Sequence, residues 1–334
     1  MHYLCCFISA ILVNYFLVFE FQILKMNNNN NTSFFAKWSA WIAAFRLKTL
    51  PLALSNTIMG SALAAGDDKF RWSVFGLAAL TTILLQILSN MANDYGDFVN
   101  GKDTAERIGP KRMVQSGEIS PKTMLRGIII ISILTAVSGL ALILIGTAGI
   151  DITNILFFAV LGIGAITAAI KYTIGKNPYG YRGLGDIFVF IFFGLVGVIG
   201  TYFLHTQSFS WDLLLPASAM GLLSTGVLNM NNLRDYEADK NAGKNTIVVS
   251  MGPQKAKLYH LFLVIGAILL VIIYTLINYK SPWQWMFLVS FPILFLNLKT
   301  VFTYKNSIEL YPELGKLALG TLLFALSFGV GLMF

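Results

Sequence analysis

The chain has 334 residues, of which 56% are Ala, Val, Ile, Leu, Met, Phe, Trp, Tyr or Cys and only 12% are charged. Because soluble domains carry about 25% charged residues, this composition excludes an ordinary soluble domain and indicates that lipid surrounds the chain. The net charge of +8 does not indicate nucleic-acid binding, since the basic residues fall in the gaps between apolar runs.

The first 36 residues form an N-terminal extension. It contains an uncharged run at 2–19, followed by Met26 and an asparagine-rich tract. The run lacks the basic start and the small-residue cleavage site of a signal peptide. It is either an additional hydrophobic segment or lies upstream of the true start, and we expect translation to begin at Met26, without residues 1–25.

Nine uncharged, mostly apolar runs follow, and each is long enough to cross a bilayer as a helix. They are Thr49–Gly66, Trp72–Asn93, Gly127–Ile150, Ile152–Ile170, Ile187–Leu204, Leu213–Leu233, Leu258–Tyr279, Ser281–Leu298 and Leu317–Phe334. Glycine and proline inside a run do not exclude spanning, because neighbouring helices can satisfy the backbone. The sequence therefore predicts an all-α, polytopic membrane bundle of nine transmembrane helices, formed by one domain over residues 37–334.

Lysine and arginine are distributed unequally over the two sides of this predicted bundle. Twenty of them fall on the side that precedes the first run, against three on the other side, which are Lys69, Arg71 and Lys280. Basic loops of membrane proteins stay in the cytoplasm. The sequence therefore predicts a protein of the cell (inner) membrane whose more basic side faces the cytoplasm.

Two polar segments on this basic side resemble each other. The first runs from Asn90 to Thr104 and the second from Asn229 to Thr246, about 140 residues later. Each segment contains NMxN, then DY, a second acidic position and GKxT. This pattern predicts an internal repeat with one acidic cluster in each half of the chain.

The spacing within each cluster places its polar side chains on one helix face. Asn90 and Asp94 are four residues apart, Asp94 and Asp97 three, and Asp235 and Asp239 four. Carboxylates at this spacing repel one another unless a cation lies between them, and Mg²⁺ binds through a few carboxylates together with substrate phosphates. Two alternatives remain at this point: solvated acids at the helix ends, or the ion site of a transporter, which usually lies near the bilayer midplane.

Cations near the two segments are candidate phosphate ligands. Positive groups beside a Mg²⁺ site fit a diphosphate, although the positive-inside rule alone also accounts for basic loops. The candidates are Arg46, Lys111, Arg112, Lys176, Arg234 and Lys244. The adjacent Cys5 and Cys6 and the three scattered histidines suit neither a zinc site nor a nucleophile triad.

The two clusters resemble the paired motifs of the UbiA superfamily of membrane prenyltransferases. Its first motif, Asn-xxx-Asp with a further Asp, corresponds to Asn90, Asp94 and Asp97, and its second, Asp-xxx-Asp, to Asp235 and Asp239. The chain is similar in particular to the naphthoate-prenylating branch. The segments that carry this similarity are Asn90–Asp97, Gly183–Gly194, Gly200–Tyr202 and Asn232–Thr246.

The resemblance implies a transferase that moves a polyprenyl group from its diphosphate to 1,4-dihydroxy-2-naphthoate, with loss of CO₂ and diphosphate, in menaquinone synthesis. It implies Mg²⁺ held by the catalytic residues Asp94, Asp97, Asp235 and Asp239 with Asn90. Substrate contacts of Asn90, Asn93 and Asn232 are implied as well, and no obligate protein partner. The alternatives are another acceptor such as 4-hydroxybenzoate or, outside the class, a secondary transporter.

Overall fold

The computed structural model describes residues 34–103 and 108–334. The run at 2–19 and the expected start at Met26 lie outside the described residues. Within these two ranges the chain is helical and has no β-strand.

We number the helices in chain order. They are α1 (Phe34–Phe45), α2 (Leu50–Gly66), α3 (Trp72–Val99), α4 (Pro121–Gly146), α5 (Ile152–Lys171), α6 (Gly185–Thr206), α7 (Trp211–Arg234), α8 (Tyr236–Asn241), α9 (Ile247–Met251), α10 (Pro253–Ile277), α11 (Pro282–Thr303) and α12 (Ser307–Leu332).

All nine predicted spans form helices, so the chain is an integral, multi-pass membrane protein. Eight of the described helices, α3 to α7 and α10 to α12, are long and apolar enough to cross a bilayer. The first predicted span forms α2, which has 17 residues. On α4, Ile129, Ile133 and Val137 lie on one face at four-residue spacing, and each exposes more than half of its side chain. A stripe of this kind is stable where lipid covers it.

Several helix ends do not coincide with the ends of the apolar runs predicted from the sequence. Helix α3 continues past Asn93 to Val99, which keeps the whole first cluster helical. Helix α4 begins at Pro121, because Ser120 caps it by accepting a hydrogen bond from the Thr123 N–H. It ends at Gly146, four residues before the predicted end.

Helices α6 and α7 approach each other very closely. A Cβ atom added to Gly194 of α6 would lie 2.6 Å from the Cα of Gly221 of α7, so only glycine fits there. Gly194 belongs to Phe190–Gly200, the π-helical middle of α6. The main apolar core continues from α7 into α10 to α12 and includes Met220, Phe287 and Phe328.

The loops that follow α3, α5 and α8 meet at one end of the bundle, which we call the motif end. There the Asn100 side-chain amide donates a hydrogen bond to the Thr173 carbonyl at 2.7 Å. The Asn245 N–H donates to the Tyr181 carbonyl at 2.9 Å. The fold therefore brings the two repeated segments to the same place.

Candidate functional site

A cavity of about 1090 Å³ opens at the motif end and extends into the bundle. Its polar part is lined by residues of both repeated segments, including Asn93, Asp97 and Asp235. Its apolar part is lined by Leu85, Ile143, Phe158, Leu161, Phe188, Phe192 and Leu204. Leu204 lies in the last turn of α6, far along the bundle from Asp97, so the cavity is long enough for an extended apolar chain.

Helix α3 directs its polar side chains in two directions. Asn90, Asn93 and Asp97 line the cavity. Asp94 is 1% exposed and faces the following loop, where one carboxylate oxygen accepts the Met113 N–H at 2.9 Å and the other accepts the Val114 N–H at 3.0 Å. Asp94 therefore anchors the loop that carries the neighbouring Arg112.

Asp97 is the buried centre of the first cluster. The Arg112 guanidinium forms an ion pair with one of its oxygens. The Tyr181 hydroxyl donates a hydrogen bond to the other oxygen at 2.6 Å, and the Lys244 ammonium lies 3.4 Å from that same oxygen. Three donors from three different loops thus meet on one carboxylate.

The buried carboxylates of this cluster shift the pKa values of the groups that bind Asp97. Burial lowers the pKa of Arg112, but the carboxylates of Asp97, Asp103, Asp94 and Asp235 outweigh burial and raise it above its usual range. Burial, together with the Asp97 carboxylate, likewise raises the pKa of the Tyr181 phenol. Arg112 therefore stays charged and Tyr181 stays a hydrogen-bond donor at neutral pH.

The second cluster spans the end of α7 and the short helix α8. Arg234 holds Asp235 in a two-pronged ion pair, with Nε 2.9 Å from Oδ1 and Nη2 2.7 Å from Oδ2. On α8, an Asp239 oxygen lies 3.3 Å from the Lys244 ammonium. Burial raises the pKa of Asp239 above its ordinary value, and the nearby Lys244 opposes that rise.

The two clusters are joined by Lys244. Its ammonium nitrogen lies between Asp97 of the first cluster and Asp239 of the second, at 3.4 and 3.3 Å. Among the described residues, no three His, Cys, Asp or Glu side chains are grouped closely enough to hold a metal by themselves. The donors nevertheless fit Mg²⁺, because carboxylate and amide oxygens line the cavity and one cation already occupies the position between two carboxylates.

Most of the predicted site residues lie together on the cavity wall. They are Arg46, Asn90, Asn93, Asp97, Lys111, Arg112, Asn232, Arg234, Asp235, Asp239 and Lys244. Two predicted residues do not line it. Asp94 is turned towards the loop, as described above, and Lys176 is exposed on the surface.

Asn90 has a local task that its motif position did not predict. Its side-chain amide donates to the Phe45 carbonyl and to the Thr49 hydroxyl, both at 2.9 Å. Between these two residues, Arg46 has a left-handed backbone with φ of 51°. Asn90 therefore holds the bend between α1 and α2 that carries Arg46 to the cavity.

Two further residues of the site, Tyr181 and Asp103, and one lysine outside the cavity, Lys102, were not predicted from the sequence. Tyr181 lies in a loop far from either motif, and no sequence signal connects it with Asp97. The side chain of Asp103 is buried, and its Oδ1 lies 3.6 Å from the Arg112 Nε. Lys102 donates to the Ala242 carbonyl at 2.5 Å, and the repeated GKxT pattern was the signal that would have found it.

Comparison with known sequences finds close relatives over almost the whole chain. The UbiA prenyltransferase family matches residues 53–309. A 1,4-dihydroxy-2-naphthoate octaprenyltransferase of Haemophilus influenzae is 45% identical over 299 residues, which are 89% of this chain and 96% of the relative. The protein of the same description from Escherichia coli is 43% identical over 297 residues, again 89% and 96%.

Comparison with solved structures finds the same fold at much lower sequence identity. A UbiA homologue from Aeropyrum pernix aligns with a TM-score of 0.61 at 16% identity, over 87% of this chain and 96% of that one. A UbiA homologue from Archaeoglobus fulgidus, described as bound to GPP and Mg²⁺, aligns with a TM-score of 0.57 at 16% identity, over 88% and 99%.

Proposed function

Because this chain belongs to the UbiA prenyltransferase family, we propose that it transfers a polyprenyl group from polyprenyl diphosphate to 1,4-dihydroxy-2-naphthoate. The products are diphosphate, CO₂ and the prenylated naphthalene-1,4-diol, which is demethylmenaquinol, the reduced form of demethylmenaquinone. One observation carries the proposal: a long apolar cavity ends at carboxylates and cations contributed by both halves of the chain. The identity of 45% to a relative described as acting on this acceptor supports the choice of substrate.

The cations of the site bind the diphosphate in this mechanism. Arg112, Arg234 and Lys244 line the cavity beside the two acidic clusters, and guanidinium groups suit phosphate oxygens because they donate in pairs. Asp97, Asp235 and Asp239, with Asn93, would hold Mg²⁺ beside the same phosphates. When bound there, Mg²⁺ would supply positive charge to stabilise the leaving diphosphate. Asp94 and Asn90 act indirectly. Asp94 fixes the loop that carries Arg112, and Asn90 fixes the bend that carries Arg46.

The bond changes follow from the chemistry of the two substrates. The allylic C–O bond breaks and its electron pair leaves with the diphosphate, which creates a carbocation-like centre on the prenyl group. The acceptor ring carbon that carries the carboxylate attacks this centre. The bond to the carboxylate then breaks, CO₂ leaves, and its electron pair restores the aromatic ring.

The apolar part of the cavity holds the prenyl chain and excludes water. Phe158, Phe188 and Phe192 line it, and apolar side chains offer the reactive centre no nucleophile. The site requires no covalent intermediate. The same wall accepts a lipid-like tail directly from the surrounding bilayer.

The proposed location follows from the distribution of charge. With 20 basic residues on the side of the motif end and three on the other, the motif end faces the cytoplasm of a cell (inner) membrane. Residues 37–334 form the prenyltransferase domain in this proposal. Substrates reach the site as a soluble aromatic acid from the cytoplasm and a lipid diphosphate from the bilayer.

The test is an assay of the purified protein in lipid nanodiscs with octaprenyl diphosphate and Mg²⁺. With carboxyl-labelled 1,4-dihydroxy-2-naphthoate, we expect prenylated product, diphosphate and labelled CO₂ in equal amounts. With 4-hydroxybenzoate we expect no product. Prenylation of 4-hydroxybenzoate alone would refute the acceptor, and the absence of diphosphate release with every acceptor would refute the reaction class and favour a transporter.

A further inference from the structure

The glycine and lysine of each GKxT segment lie in the same kind of turn. Helix α3 ends before Gly101, whose φ is +62°, and α8 ends before Gly243, whose φ is +66°. In the first turn the Lys102 N–H donates to the Asp97 carbonyl at 2.8 Å, and in the second the Lys244 N–H donates to the Asp239 carbonyl at 2.9 Å. The two lysines are therefore structurally equivalent, each five residues after an aspartate of its cluster.

The side chains of these lysines cross between the halves but meet different partners. Lys102 reaches the second turn and donates to the Ala242 carbonyl at 2.5 Å, which caps helix α8. Lys244 reaches the first cluster and lies between the carboxylates of Asp97 and Asp239. Lys102 thus binds the backbone of the second turn. Its equivalent in the repeat, Lys244, binds the two aspartates on which the cation site of the proposed function depends.

Lys244 is enclosed in this position. Its residue is 8% exposed, and its ammonium lies 5.3 Å from the centre of the Tyr181 ring. Arginines pair with acids of the site as well: Arg112 forms a second ion pair with Asp97, and Arg234 pairs with Asp235. A divalent cation that arrived alone would have to displace a buried ammonium and leave it without a counter-charge, which is strongly unfavourable.

We propose that Lys244 occupies the place of a divalent cation between the two halves, so that the cation binds only together with diphosphate. Diphosphate supplies the negative charge that draws the ammonium away from Asp97 and Asp239. The freed carboxylates then accept the cation. The inference rests on the proposed function only in taking diphosphate and a divalent cation as ligands.

The test measures cation binding rather than turnover. Equilibrium dialysis with radioactive Mn²⁺ is performed on the full chain in nanodiscs, with and without inorganic diphosphate, and bound Mn²⁺ and bound diphosphate are counted separately. We expect wild-type protein to bind Mn²⁺ at least tenfold more tightly when diphosphate is present. Without diphosphate, Lys244→Met should bind Mn²⁺ about tenfold more tightly than wild type. Diphosphate should then increase the Mn²⁺ affinity of this variant less than it does in wild type.

Two further variants control this result. Lys102→Met removes the equivalent lysine, with the same change in net charge, and should keep the wild-type dependence on diphosphate. Lys244→Arg retains a cation and should bind Mn²⁺ alone as weakly as wild type, which tests the idea even if Lys244→Met fails to fold.

Two outcomes would overturn the inference. One is wild-type protein that binds Mn²⁺ equally well with and without diphosphate, and the other is Lys244→Met protein that binds Mn²⁺ alone no more tightly than wild type. These outcomes are separable from failure of the proposed function. If the wild-type chain shows joint binding but does not prenylate naphthoate, the acceptor is wrong and the role of Lys244 stands.

Discussion

Replacement of Asp94 by Asn tests whether this residue anchors the loop of Arg112 rather than binding the cation. In the wild-type chain both oxygens of this buried carboxylate accept backbone N–H groups, from Met113 and Val114. An amide keeps one acceptor oxygen and turns an NH₂ group towards the other N–H donor, so one of the two hydrogen bonds is lost. A hydrogen bond to a charged group contributes about 1.5–3 kcal/mol.

That loss translates into a measurable change in local opening. About 1.5–3 kcal/mol corresponds to a ~10- to 150-fold loss of protection against hydrogen exchange, if the loop opens locally. Hydrogen–deuterium exchange of the peptide that contains Met113 and Val114 measures it. Turnover should also fall in Asp94→Asn, because Arg112 is no longer held against Asp97.

The matched comparison is Asp97→Asn, which lowers turnover by a different route. It leaves both hydrogen bonds of Asp94 in place, so exchange at Met113 and Val114 should stay close to wild type. If Asp94→Asn kept full protection of these amides, or if Asp97→Asn lost it to the same extent, Asp94 would not be the anchor described here.

Two more predictions concern packing and a buried charge. Gly194→Ala should lower the free energy of unfolding by about 1–3 kcal/mol, because the new Cβ meets the Gly221 backbone. The control is Gly76→Ala, whose new Cβ meets nothing within 4 Å and should leave the stability unchanged. Equal melting temperatures for the two variants would contradict the close approach of α6 and α7. The Lys316 ammonium lies 2.5 Å from a carboxylate oxygen of the buried Glu313. Lys316→Met leaves that carboxylate without its cation and should destabilise the protein. Adding Glu313→Gln to this variant should restore part of the lost stability. Additive effects in the double variant would show that the pair is not coupled.

The apolar spans were predictable because lipid imposes a simple rule on sequence. Each run of sufficient length had to become a helix, and all nine did. The ends were less predictable, because an apolar run stops at the first polar residue while the helix continues. Helix α3 runs six residues beyond Asn93, and those residues contain Asp94 and Asp97.

The site was predictable in its residue types but not in the direction of every side chain. Residues three and four positions apart lie on the same helix face, so spacing alone could not separate Asp94 from Asn93 and Asp97. The loop that packs against α3 decides which of them meets backbone N–H groups and which meets the cavity. Tyr181 was out of reach of sequence reasoning, because its contact with Asp97 depends on how two loops pack.

The central claim is that the two halves of the chain build a single diphosphate site. The most direct measurement is the binding of diphosphate, in the presence of Mg²⁺, to wild-type protein and to the Asp97→Asn and Asp239→Asn variants, each of which alters one half. We expect one diphosphate per wild-type chain and a large loss of affinity in each variant. Two diphosphates per chain, with each variant losing one and retaining the other at full affinity, would contradict the account.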